Sequence, residues 1–368
     1  MKNRLFVLFD HFLRSNPKGW QYLPLKGLLR VLSWLWIAGA WIRNKGYAWH
    51  IFYRHKAALP VISIGNITAG GSGKTPLTAL LAEKLMQQIP NKVAIATRGY
   101  LSLAEKSTSP ILVHKKEGVI PSWLLVGDEA AMLSDLIPEA FIFVGKHRYL
   151  SANMAKELEA SCLLLDDGLQ YEKLQKDLQI IALHGEEILR KQFVMPRGIL
   201  RQPFAAIQKA DLLAIFLEDK QSLKQLKPYL YRLKSVPYVI FTRKILGLKN
   251  KTNRLVKQMP KKAAVFCGIA HPNRFFKQLA ALGIELVNQY ILRDHGIFDL
   301  EILKKFSTSA KNLGAEMLIC THKDFVKLPK GITFSLPITY AVLHLDILQG
   351  ENRFKNMVEK IAQRVNNY

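Results

Sequence analysis

Hydrophobic positions along this chain cluster into short runs rich in β-branched residues, and the segments between them carry apolar residues at helical spacing. That alternation predicts a layered α/β protein in which helices cover a mostly parallel sheet. Runs at 61–64, 92–97, 162–165, 178–183, 212–216 and 238–241 predict the strands of a first lobe. A second set at 263–267, 284–287, 317–320 and 340–345 predicts a second α/β lobe. A polar, basic stretch at 243–262 lies between the two sets. The expected organisation is a segment 1–57, a first lobe 58–255 and a second lobe 256–368.

The amino-terminal segment follows a different pattern. Residues 1–60 carry ten Lys/Arg against one acid, Asp10, and their centre is the apolar run GLLRVLSWLWIAGAWI at 27–42. Its uncharged part, 31–42, is shorter than the ~20 residues of a membrane-spanning helix. Trp34, Trp36, Trp41 and Trp49 lie beside Lys26, Arg30, Arg43, Lys45 and Arg54. Indoles at headgroup depth and cations against anionic lipid suit a hydrophobic helix lying in a bilayer interface. A helix packed in the core of the first lobe is the competing expectation.

The densest chemistry follows the first predicted strand, where VISIGNITAGGSGKTPLTALL occupies 61–81. An apolar strand runs into a glycine-rich loop, and Lys74-Thr75 opens a helix with Leu77, Leu80, Leu81 and Leu85 on one face. Glycines 70, 71 and 73 let backbone N–H groups face an anion, so Thr68, Ala69, Gly70, Gly71, Ser72, Gly73, Lys74 and Thr75 form a candidate phosphate loop. Lys74 can reach the β- and γ-phosphates of a nucleoside triphosphate, and the Thr75 hydroxyl can ligate Mg²⁺. The usual spacing would put Gly at position 68, where this chain has Thr68.

Polar groups recur where later strands end. LLLDDGLQ at 163–170 presents Asp166 and Asp167 as candidate ligands of Mg²⁺, directly or through water. TRGY at 97–100 offers Arg98 to phosphate, and VGDEAAML at 126–133 offers Asp128 and Glu129 as base and metal ligand, or as simple helix caps. RDHGIFD at 293–299 sets His295 beside Asp294. THKD at 321–324 has its lysine one place too late for a guanine-specificity element and is expected to be an ordinary strand-to-helix turn.

A net charge of +25 calls for an anionic partner: nucleic acid, an anionic membrane surface, or a phosphorylated small molecule. No helix-turn-helix or RNA-binding signature accompanies it, so no nucleic acid is expected, although a nucleic-acid-dependent P-loop ATPase is the alternative function. Cys162, Cys267 and Cys320 are far apart and two lie in apolar runs, as expected of cysteine in a reducing compartment. Without CxxC or HExxH, no structural zinc is expected.

Taken together, GNITAGGSGKTP, TRGY, GDEA, DDGLQ, MPRGILRQP, GIAHPNRFF, RDHGIFD and THKDFVKL occur in an order that resembles the tetraacyldisaccharide 4′-kinases of lipid A biosynthesis. The resemblance implies ATP, Mg²⁺ and transfer of a γ-phosphoryl group to the 4′-hydroxyl of a glucosamine disaccharide 1-phosphate, the lipid A precursor. It implies a P-loop NTPase-like lobe and a second α/β lobe joined by a hinge, held at the cytoplasmic face of the bacterial inner membrane. A monomer is compatible with it. Position by position, Asp128 matches the family's candidate general base and His295 the histidine that pairs with it. Asp166 and Asp167 match its paired carboxylates, with Glu129 a further candidate for the metal sphere. Lys74 and Arg98 would neutralise the transferring group. This chain has Ala130, Leu169 and Gly296 where the family commonly has Pro, Phe and an aromatic or His.

Overall fold

A computed structural model describes residues 19, 22–89, 92–113, 122–189, 192–233, 235–292, 296–329 and 331–368. Twelve strands form one continuous sheet in the order β10-β9-β11-β12-β8-β7-β6-β1-β5-β2-β4-β3. They are β1 (Val61–Asn66), β2 (Val93–Thr97), β3 (Ile111–Val113), β4 (Phe141–Val144), β5 (Cys162–Asp166), β6 (Leu178–His184), β7 (Leu212–Leu217), β8 (Tyr238–Asn250), β9 (Lys262–Cys267), β10 (Glu285–Ile291), β11 (Met317–Thr321) and β12 (Ile338–Gln349). The helices of eight residues or more are α1 (Leu23–Ala48), α2 (Lys74–Met86), α3 (Asp128–Leu136), α4 (Arg148–Glu157), α5 (Pro272–Ala281), α6 (Leu300–Asn312) and α7 (Glu351–Asn366).

Every predicted strand is present. The central strands read as unbroken apolar runs because helices cover both faces: all residues of β1, β2, β5 and β7 are buried. Pairing is parallel throughout the first lobe except at the edge, where β3 runs antiparallel to β4. β1 lies between β5 and β6, so the loop after it opens at the carboxyl ends of the strands where the strand order reverses, the usual ligand position in open α/β sheets.

The predicted boundary at 243–262 is occupied in its first half by β8, which continues to Asn250. β8 starts beside β7 and then leaves the first lobe paired with β12 alone, antiparallel, from Arg243 opposite Leu345 to Asn250 opposite Thr339. This two-stranded ribbon joins the lobes. Its polar face explains why the sequence reads as a linker. The chain returns along β12, and α7, grouped by sequence with the second lobe, packs on the first. Phe354, Met357, Val358 and Ile361 join Leu77, Leu81 and Leu85 of α2 in one core, and Phe354 meets Phe241 edge to face at 5.6 Å.

Helix α1 spans 26 residues, longer than its uncharged centre, and is long and apolar enough to cross a membrane by length and composition. Only Leu29, Ser33, Gly46 and Tyr47 of it are buried, which excludes the core-helix expectation. Leu28, Trp34, Leu35, Trp41 and Ile42 are all more than half exposed. The docked face combines apolar packing by Ile37 with hydrogen bonds. Ser33 Oγ donates to Val194 O at 2.8 Å and accepts from Arg197 N, and Trp36 Nε1 donates to Arg201 O at 3.1 Å.

Candidate active site

The loop between β1 and α2 is held open by its own backbone. Gly73 caps α2 with φ +87°, a left-handed conformation that a side chain resists, and a Cβ there would lie 2.3 Å from Arg243 Nη2. MPRGILRQP, a motif whose role the sequence left open, runs alongside. Ala69 N donates to Ile199 O and Arg201 N to Ile67 O, both at 2.7 Å, with Thr68 paired to Leu200. Thr68, the departure from the glycine pattern, has its hydroxyl bonded to buried Glu187 at 2.9 Å and accepts from Asn66 Nδ2. The hydroxyl therefore fastens the loop to the segment after β6, and burial raises the Glu187 carboxyl to about 7.

The two carboxylates ending β5 face different partners. Asp166 is buried and accepts from Thr75 Oγ1 at 3.0 Å and Thr78 Oγ1 at 3.2 Å. Burial and the neighbouring Glu129 carboxylate raise it well above the usual carboxylate range. Asp167, at φ +54°, turns the other way, to Lys74 Nζ at 3.4 Å and Arg201 Nη1 at 3.0 Å, while Arg148 Nη1 donates to its backbone carbonyl. Burial opposes its ionisation, but Lys74, Arg201 and Arg148 outweigh that and hold it at about 2.

Asp128 and Glu129 form the first turn of α3. The preceding Gly127 abuts Gly99 of TRGY, where a Cβ would come within 3.2 Å of the Gly99 Cα, so the two motifs share one packed turn. Asp128 is buried beside Lys327 Nζ at 3.3 Å and Lys323 Nζ at 3.9 Å. Both lysines belong to THKDFVK, so this segment is more than the ordinary turn expected: it carries second-lobe cations to the Asp128 carboxylate. Lys327 also bonds buried Asp324 and the Gly296 carbonyl, each at 3.3 Å. His295 precedes that glycine and lies outside the described residues. Arg98 is half-exposed and paired with Glu105 at 2.7 Å. Arg148, Arg201, Lys323 and Lys327 were not singled out from sequence. Three of them stand inside the quoted motifs, whereas Arg148 has no signal beyond its charge.

Two cavities flank the glycine-rich loop. The larger, about 910 Å³, is lined by Trp36, Gly39 and Arg43 of α1, by Ala69 of the loop, and by Arg98, Lys146, Arg148, Asp167 and Arg201. The smaller, about 440 Å³, lies between the ends of β6 and β7 and the second-lobe helix α5, with Arg243, Arg274 and Lys277 opposite Glu186, Glu218 and Asp219. Arg243 stacks on Phe216 at 4.8 Å, and its Nε and Nη2 are buried without hydrogen-bond partners. Burial and Arg274 lower it to about 10, so it remains a cation at neutral pH.

A family model described as tetraacyldisaccharide-1-P 4′-kinase matches residues 25–363. The chain belongs to that family. Among its curated relatives, the tetraacyldisaccharide 4′-kinase of Chlamydia pneumoniae is 31% identical over 358 residues, covering 95% of this chain and 93% of its own length. That of Desulfotalea psychrophila is 33% identical over 305 residues, covering 78% and 83%. In three dimensions the fold matches crystalline LpxK from Aquifex aeolicus in complex with ATP, with TM-score 0.71 and 27% identity, over 92% of this chain and 99% of that one.

Proposed function

We propose that this chain transfers the γ-phosphoryl group of ATP to the 4′-hydroxyl of a tetraacyl glucosamine disaccharide 1-phosphate at the cytoplasmic face of the bacterial inner membrane. The observation that carries the reading is one glycine-rich loop with two cavities beside it, the larger lined by its Ala69 and the smaller by His184 and Arg243, which adjoin Gly71 and Gly73. The smaller, between the lobes, suits a nucleoside. The larger is basic and bounded by the exposed apolar helix, which suits a phosphorylated acceptor entering from a bilayer. Thr68 to Thr75 form the phosphate loop between them, and Ala69 is common to the loop and the acceptor cavity.

Among the described residues no group of three or more His, Cys, Asp or Glu could hold a metal by itself. Mg²⁺ needs less, since it is commonly held by one or two carboxylates together with water and substrate phosphates. Asp166 fits: a buried carboxylate beside Glu129, with too little positive charge to keep it readily ionised, next to the Thr75 hydroxyl. Thr75, Asp166 and Glu129 would hold the ion, with Asp167 joining once Lys74 leaves it for the nucleotide. Bound there, Mg²⁺ supplies Lewis-acid neutralisation of the phosphates.

The protein's own groups do the rest. Lys74, 12% exposed in its side chain, swings from Asp167 to the γ-phosphate and stabilises charge on the transferring group. Arg98, at the rim of the larger cavity, meets that group from the acceptor side. Asp128 takes the proton of the 4′-hydroxyl as the new bond forms, and its carboxylate is held in place by Lys327 and Lys323 from the opposite lobe. His295, through its family match, pairs with this base. Assembly of the base from both lobes ties the reaction to their closure, which limits phosphoryl transfer to water.

The test is incubation with γ-labelled ATP and a lipid A disaccharide precursor in detergent, with duplex DNA as the control. Label in the lipid, lost in Lys74→Ala, is expected. ATP hydrolysis stimulated by DNA with no labelled lipid would overturn the proposal.

A further inference from the structure

GIAHPNRFF lies in the second lobe, yet the side chain of its Arg274 reaches the first-lobe histidine that holds the phosphate loop. His184, the last residue of β6, is buried, and its Nε2 lies 2.9 Å from the Gly71 carbonyl. A carbonyl only accepts, so Nε2 carries the proton and donates. Nδ1 then has a free lone pair, and Arg274 Nη1 lies 3.2 Å from it, in position to donate. The same guanidinium reaches Glu218 through Nε at 2.7 Å and Glu186 through Nη2 at 3.3 Å. Arg274 sits in the first turn of α5, whereas all three of its partners belong to the first lobe. It therefore fastens one lobe to the other and fixes the imidazole tautomer in one contact.

Gly71 has no side chain to orient it, and a Cβ there would meet only Ala270 Cβ, at 3.9 Å, so the contact that sets the Gly71–Ser72 peptide is the one its carbonyl makes with His184. A trans peptide places C=O and the following N–H on opposite sides. Pinning the Gly71 carbonyl to His184 thus points the Ser72 N–H away from that wall, into the concave side of the loop. We propose that Arg274 and His184 form a positioning relay through which docking of the second lobe sets the Ser72 amide toward the nucleotide phosphates. Neither residue touches reacting atoms in this arrangement. The imidazole stays neutral: burial lowers its pKa well below 6.5, Arg243, Arg274 and His271 lower it further, and only the Gly71 carbonyl opposes them.

The relay rests on the kinase reading, and binding measurements separate its failure from that of the reading. Full-length wild type, His184→Gln, His184→Leu, Arg274→Gln and Arg274→Lys are titrated with ATP and with magnesium tripolyphosphate, which has no nucleoside. Glutamine offers both an N–H for the carbonyl and an acceptor for Arg274, while leucine offers neither. Expected are affinities about tenfold weaker for both ligands in His184→Leu and Arg274→Gln, the cost of one charge-assisted hydrogen bond, with near wild-type binding in His184→Gln. KM for ATP should rise while kcat changes little, because the amide holds ground state and transition state alike. Arg274→Lys keeps a cation beside Glu218 without a second nitrogen to reach His184, and stands in if the glutamine variant fails to fold. Loss confined to ATP would make these residues nucleoside contacts, and equal defects in His184→Gln and His184→Leu would reduce them to packing; either result overturns the relay. Binding as strong as wild type in His184→Leu and Arg274→Gln would overturn the relay as well, whereas the expected binding losses with no transfer to lipid by wild type would sink the kinase reading and leave the relay standing.

Discussion

Replacing Gly73 by alanine separates two costs that the structure stacks at one atom. The first is conformational: at φ +87° a non-glycine residue costs about 1–2 kcal/mol. The second is steric. The new methyl would lie 2.3 Å from Arg243 Nη2 and 3.2 Å from Phe216 Cζ. Arg243 has little room to retreat, being buried and stacked on that ring. If the variant's empty loop relaxes and must regain this conformation to bind ATP, backbone strain alone converts to a loss of about 5- to 30-fold in affinity. With the clash added, the total loss for Gly73→Ala should be more than about 100-fold, the extra energy lying within the range of overpacking. The assay is calorimetric titration with ATP, with thermal melts to establish that the lobe is folded. Arg243→Ser in the Gly73→Ala background removes the clash and leaves the strain, so it should recover the steric share and stop at the strain-only value. Affinity within threefold of wild type for Gly73→Ala alone would refute both the strained cap and the assignment of this loop to the nucleotide.

Three further outcomes follow from other parts of the molecule. Lys327→Met leaves Asp324 and Asp128 short of a buried cation, so urea unfolding should show a loss of about 3–5 kcal/mol with a lower kcat; wild-type stability and kcat would make the lysine a bystander. Ionising Asp166 is harder in the folded protein than in the unfolded chain, so the metal-free protein should lose stability as pH rises through its raised pKa. Glu187, at about 7, adds the same sign. Below that range Mg²⁺ competes with a proton, so the Mg²⁺ concentration for half-maximal activity should climb as pH falls, chelation should abolish activity, and Asp166→Asn should flatten the stability profile. Flotation with anionic liposomes should exceed that with neutral ones and weaken with salt, each of Arg30, Arg43 and Lys45 contributing about 1 kcal/mol or less. Equal flotation in every condition would indicate a hydrophobic span rather than interfacial binding.

Ten of the strands were legible because doubly covered parallel strands read as unbroken apolar runs. β3 and β4, the two outermost on their edge, have three and four residues, too short for a run to stand out from the helical segments beside them. The glycine-rich loop was legible because backbone geometry demands particular residues there. Lys323 and Lys327 escaped because their function depends on which lobe they face, and local spacing carries no information about a partner nearly two hundred residues earlier. Arg201 is similar: its motif is recognisable, but only the fold shows one arginine joining α1, the glycine-rich loop and Asp167. The stretch at 243–262 reads as a boundary because strands with only one neighbour keep polar side chains.

The route of the chain through that ribbon sets the order in which the protein can be completed. The second lobe is inserted between β8 and β12, and α7, made after it, supplies Phe354, Met357, Val358 and Ile361 to the core under α2. During synthesis α2 is translated roughly 270 residues before its covering helix, so part of its apolar underside waits through the making of an entire second lobe. A nascent chain stalled or truncated before residue 351 would carry every loop of the candidate site and still lack one of the walls against which α2 packs. Loss of the C-terminal helix, remote from the chemistry in sequence, should therefore turn the protein into a substrate for chaperones and proteases rather than into a slower enzyme.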